Sequence, residues 1–168
     1  MKRLVYLTLI VMFAITLGAC ARATSQPTDE MINPGDKIGD FLITTGEEGG
    51  VTYTWDLDCV KQGEGENYSC KATVGTKVNI SVGIYDDTFS GKLDNVWSGH
   101  TYELFIENRP VNLQAFGFID VNQPQVGKMR HWNVVVFTDK PGEITLHDTG
   151  VVDGDPFGST MTYIFSTP

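Results

Sequence analysis

Past residue 50 the chain alternates apolar and polar residues in short runs. Val51, Tyr53, Trp55 and Leu57 alternate with Thr52, Thr54 and Asp56. Val78, Ile80, Val82 and Ile84 alternate with Lys77, Asn79, Ser81 and Gly83. Tyr102, Leu104 and Ile106 alternate with Thr101 and Glu103, although Phe105 interrupts the polar side. Ile144 and Leu146 then alternate with Glu143, Thr145 and His147, and Met161, Tyr163 and Phe165 with Thr160 and Thr162. A strand sends successive side chains to opposite faces, so each run predicts a strand with one face on a core and one in water. On this reading Trp55 belongs to the core. The stretches 113–121 and 132–137 are apolar at both parities. They predict central strands covered on both faces, or strands carrying a contact surface. Turn-forming residues separate the runs at 47–50, 63–67, 140–142 and 153–156. No helical period is visible past residue 20. About eight or nine strands with regular turns predict an all-β, antiparallel β-sandwich over residues 35–168, with a closed barrel as the alternative.

The first 20 residues follow another pattern. Met1-Lys2-Arg3 is basic, Leu4 to Leu17 is apolar apart from Thr8 and Thr16, and Gly18 and Ala19 are small. This is the order of a secretory signal, and the apolar run is short of the about 20 residues that span a bilayer. Leu17-Gly18-Ala19-Cys20 resembles the cleavage box of bacterial lipoproteins. The resemblance implies a signal peptide over 1–19, lipid on Cys20, and anchorage on the extracytoplasmic face of the bacterial cell envelope. Several acyl chains hold a membrane stably where one holds it marginally. Residues 20–34 are polar, small and poor in apolar side chains, which predicts a tether between lipid and domain.

Removing the signal takes Lys2 and Arg3 away, so 12 basic residues fall to 10 against 21 acidic ones, and the net charge moves from −9 to −11. An acidic chain argues against nucleic acid as a partner. With Cys20 assigned to lipid, Cys59 and Cys70 form an even pair in an exported protein, which predicts a disulfide.

Candidate chemistry is sparse. His100, His131 and His147, with a sulfur from Met129 or Met161, could imitate a copper set. Gly75-Thr76-Lys77-Val78 before one strand and Lys140-Pro141-Gly142-Glu143-Ile144 before another give a rhythm similar to cupredoxin-type sandwiches. The sandwich expectation is therefore immunoglobulin-like or cupredoxin-like. A blue-copper centre needs a cysteine beside two histidines, and no cysteine follows Cys70. No cofactor is expected. Asp153 and Asp155 around Gly154 suit calcium only in part, and a turn explains them as well. No Gly-x-Ser-x-Gly elbow or glycine-rich phosphate loop occurs, and no pair of carboxylates stands out. The segment from Asp86 to His100 mixes Phe89 and Trp97 with Asp, Ser, Gly and Asn, a composition suited to recognition. Trp97, with Trp132 as a second contact, is the candidate site for a protein or carbohydrate ligand. The expectation is a lipid-anchored, non-enzymatic binding module. The alternatives are a metal-handling or redox protein using the three histidines, and a hydrolase using an unrecognised carboxylate pair.

Overall fold

The structure, a computed structural model, describes residues 30–47, 49–80, 83–86, 93–123, 127–152 and 154–168. The expected signal peptide, Cys20, the first part of the tether, residues 87–92 of the proposed recognition segment and Asp153 lie outside the described residues.

Among the described residues the chain forms fourteen strands and little helix. The first half contains β1 (Lys37–Ile38), β2 (Phe41–Thr44), β3 (Thr52–Tyr53), a 3-10 turn (Thr54–Asp56), β4 (Asp58–Lys61), β5 (Asn67–Thr73), β6 (Val78–Asn79) and β7 (Gly83–Asp86). The second half contains α1 (Leu93–Ser98), β8 (Thr101–Ile106), β9 (Arg109–Pro110), α2 (Leu113–Phe116), β10 (Phe118–Gln123), β11 (Gly127–Trp132), β12 (Val135–Phe137), β13 (Gly142–Val152) and β14 (Asp155–Ser166).

One layer is the six-stranded sheet β4-β5-β14-β13-β8-β9. Its spine is the long hairpin β13–β14, with Gly142 opposite Phe165 and Val152 opposite Asp155. The other layer has the orders β1-β2-β12-β6-β3 and β10-β11-β7. Val78 stands opposite Val136, and Asn79 opposite Val135. Gly83 stands opposite His131, and Asp86 opposite Lys128. β6 and β7 thus run along β12 and β11 in one register, and the two sheets are halves of one layer. Pairing is antiparallel except for β5 with β14 and β3 with β6.

The core lies between the layers. Phe41, Ile43, Val78 and Val136 pack in one cluster with Leu104, Ile106, Ile144, Leu146, Tyr163 and Phe165. The rings of Phe41 and Phe165 meet edge-on at 5.6 Å. Each such side chain contributes about 1.5–3 kcal/mol by leaving water. The alternation read from β8, β13 and β14 matches this inner face. Val134, Val135 and Val136 are all fully buried, as the two-sided apolar stretch requires of a central strand.

Three expectations need correction. The run from Val51 to Leu57 is not one strand, because the 3-10 turn at Thr54 ends the pleat and turns Trp55 outward. Residues 113–121 divide into α2 and β10, and both apolar residues at the ends of α2, Leu113 and Phe116, are buried. An i, i+3 spacing serves a single helical turn as well as two-sided burial serves a strand. The strand number exceeds nine because β1, β2, β4, β5 and β9 form outside the alternating runs.

Candidate functional site

The turn that interrupts Val51 to Leu57 also borders an apolar cleft. Thr54 Oγ1 donates to the carbonyl of Asn79 at 2.9 Å and lies 2.7 Å from Tyr163 Oη. Tyr163 is fully buried, and burial pushes its hydroxyl well above the ordinary phenol value. These bonds fix the turn to β6 on one side and β14 on the other. Trp55, the next residue, is 41% exposed. Its indole stacks on Tyr53 at 4.5 Å with the planes 6° apart. Both rings stand edge-on to His131, at 5.2 Å from Tyr53 and 5.7 Å from Trp55.

Beside Trp55 is a cleft of about 410 Å³. Leu57, Tyr68, the Cys59–Cys70 disulfide, Gly83, Met129 and Met161 line it. The volume is within the usual span of small-molecule sites, about 300–1,000 Å³. Gly83 is needed for the close approach of β7 to β11: a Cβ there would sit 2.1 Å from the carbonyl oxygen of Arg130 and 2.4 Å from His131 Cβ.

The predicted disulfide is present. Cys59 on β4 stands directly opposite Cys70 on β5, with their Cα atoms 4.0 Å apart. Since β4 is the outer strand of its sheet, the bond fastens the cleft's edge. Reducing it should lower unfolding free energy by about 2–3 kcal/mol, as the chain-entropy account gives for a short loop. Denaturant unfolding of Cys59→Ala/Cys70→Ala against the oxidised protein measures this. An unchanged midpoint would show the bond to be energetically idle.

The sequence-derived candidates are distributed elsewhere. Trp132 is 8% exposed. Trp97 is partly buried on α1 and packs on Trp132 at 5.0 Å, Tyr102 at 5.4 Å and Phe118 at 5.6 Å. Arg130 lies under this group, with its guanidinium 4.3 Å from the Phe118 ring. It holds Asp120 through two bonds of 2.7 and 2.8 Å and Asp94 through one of 2.6 Å. The Asp120 and Asp94 carboxylates push Arg130 further up, and the Arg130 bonds hold Asp120 below the usual carboxylate range. A smaller cavity of about 280 Å³ adjoins Trp132, Tyr102, Leu104 and Leu113. Burial pushes the Tyr102 hydroxyl up to about 12.

The three histidines have separate surroundings. His100 stacks on Tyr102, and His147 lies exposed beside Phe105 and Thr160. His131 is buried with Nδ1 3.3 Å from the Trp132 carbonyl, and burial lowers its pKa. Among the described residues no group of three or more His, Cys, Asp or Glu side chains is placed to hold a metal. Asp155 is exposed at the start of β14. The buried carboxylate of Asp148 accepts from the Ser159 backbone N–H at 3.0 Å and from the Ser159 hydroxyl, which ties the β13–β14 hairpin. The two methionines, in contrast, line one cleft.

Sequence reasoning missed Trp55 because strict alternation sent it inward. No local signal marked the turn, because Asp56 and Asp58 fall on the polar parity that an unbroken strand would also have. Among the described residues no helix is long and apolar enough to cross a membrane. No family model, curated protein or solved structure matches the chain.

Proposed function

We propose that this chain is a lipid-anchored, extracytoplasmic, non-enzymatic binding module whose ligand site is the cleft beside Trp55. One observation carries the reading: an indole 41% exposed, rigidly stacked on Tyr53, borders an apolar cleft of about 410 Å³. A flat, pre-positioned ring loses little entropy on binding and offers a large apolar face. It suits a ligand with a flat apolar face, such as a sugar ring. The histidine-based alternative is weakened by the separate surroundings of His100, His131 and His147. The carboxylate-pair alternative gains no residue, since the buried Asp148 is occupied by Ser159.

The site is tested with 8-anilinonaphthalene-1-sulfonate as a generic apolar probe. Trp55→Ala should weaken dye binding about tenfold or more. Its unfolding free energy should fall by about 1–2 kcal/mol, the loss of the stacking on Tyr53 and the edge contact with His131, with the fold kept. Equal dye binding by both proteins rejects the site.

The anchor rests on Leu17-Gly18-Ala19-Cys20. Cys20→Ser should leave the protein unacylated and recoverable without detergent. Failure of the wild-type protein to take up labelled fatty acid rejects the anchor.

A further inference from the structure

We infer that the ligand of the cleft beside Trp55 is an extended polypeptide segment of a partner protein, which adds antiparallel to β4 and places an aromatic side chain in the cleft. The inference deepens the proposed function and rests on its reading of the cleft. β4 is the outer strand of the six-stranded sheet, and among the described residues no strand pairs with its far side. Its hydrogen-bonding phase is fixed at two points. Just past β4, the Gln62 N–H donates to the Asn67 carbonyl at 2.8 Å, which makes these two a bonded pair. Cys59 and Cys70 stand opposite each other with Cα atoms 4.0 Å apart, as in the closer, non-bonded pairs of an antiparallel ladder. Bonded and non-bonded pairs alternate, so Asp58 and Val60 direct their backbone groups to β5, while the N–H and C=O of Cys59 and Lys61 face outward. A row of such groups is a template for another strand.

The cleft lies where that strand would pass. Cys59 and Tyr68 line it from the six-stranded sheet, and Gly83 and Met129 from the other layer, so it opens between the layers beside the β4 edge. Residues directly opposite on neighbouring strands point to one face of the sheet. A residue opposite Cys59 therefore sends its side chain to the cleft face, where the Trp55 indole is held on Tyr53. The cleft has no charged side chain among its lining residues, which suits an aromatic ring there. A residue opposite Val60 points to the outer face, against a valine 51% exposed, and a β-branched side chain fits it. Lys61 and Asp58, both exposed, favour an acidic and a basic residue opposite them. Read antiparallel, the partner's order is acidic, β-branched, aromatic, basic. A second copy of β4 suits the cleft less well: with Val60 on Val60, Lys61 of each copy would stand opposite Cys59 and bring an ammonium to the other's apolar cleft.

The test uses the mature chain carrying Cys20→Ser with the Cys59–Cys70 bond intact, and the blocked peptide acetyl-Thr-Glu-Val-Phe-Lys-Thr-amide. Calorimetry should give one peptide per chain. The amide protons of Cys59 and Lys61 should move downfield as they gain acceptors, while the amide protons of Asp58 and Val60, already bonded to β5, stay in place. In this register the peptide's Glu and Phe amides face β4, and its Val amide faces away. N-methylation at Phe should weaken binding about tenfold, because a main-chain bond is lost and its acceptor is left bare. N-methylation at Val should be tolerated. Absence of one-to-one binding, or equal affinity of the peptides methylated at Phe and at Val, would overturn the added strand. Either result with normal dye binding leaves the cleft reading standing, because the dye needs no main-chain partner. Equal dye binding by wild type and Trp55→Ala, in contrast, strikes the cleft itself.

Discussion

Trp132→Ala should destabilise the protein by about 3–5 kcal/mol, the range for emptying a buried aromatic site. Trp132 is 8% exposed and belongs to the main hydrophobic cluster. Its ring supports Trp97 at 5.0 Å and borders the cavity of about 280 Å³ next to Leu104 and Leu113. Removing the indole would enlarge space that already exists, and the cost of such truncations rises with the cavity left behind. Trp97→Ala should cost less, about 2–3 kcal/mol, because part of its ring is already in water. Denaturant unfolding of the two variants gives both values. A Trp132→Ala loss below about 1 kcal/mol would mean that the ring does not hold the two layers together.

Arg130→Ala should cost about 3 kcal/mol, near the lower end of what breaking a buried ion pair costs. The Arg130 side chain is 10% exposed, while Asp120 keeps 29% and Asp94 82% of its surface. The partners can therefore rehydrate in part when the guanidinium is lost, which sets the lower figure. The effect depends on pH. Asp120 is held below its unfolded value by Arg130, so the pair's stabilisation is fully present above the unfolded carboxylate pKa of about 3.9. It disappears as the pH falls through the lower, folded value. Unfolding measured from pH 7 to pH 2 should show the gap between wild type and Arg130→Ala closing only at the acid end. A gap constant with pH would assign the loss to packing against Phe118 alone.

The alternation rule succeeded wherever one face of a strand meets the core without interruption. Tyr102, Leu104 and Ile106, or Ile144 and Leu146, point as their period demands because β8 and β13 are inner strands of one sheet. The disulfide was legible because, with Cys20 expected to carry lipid, Cys59 and Cys70 were the one pair left. Trp55 was not legible. Its inward prediction assumed that the pleat continues, whereas Thr54 finds partners in Asn79 and Tyr163, 25 and 109 residues away. Nothing local announces such contacts. The same holds for the cleft, whose methionines come from strands in different layers. Leu113 to Phe116 was ambiguous for a different reason: four apolar-rich residues fit a buried strand and a single helical turn equally.

Two surfaces are thus candidates for the proposed ligand: the cleft beside Trp55 and the aromatic group around Trp97 and Trp132. Indole N–H and methionine methyl resonances report on both at once. On titration with 8-anilinonaphthalene-1-sulfonate, the Trp55 indole and the Met129 and Met161 methyl signals should move in a saturable manner, while the Trp97 and Trp132 indoles stay in place. Saturable shifts at Trp97 and Trp132 with Trp55 unmoved would contradict the account.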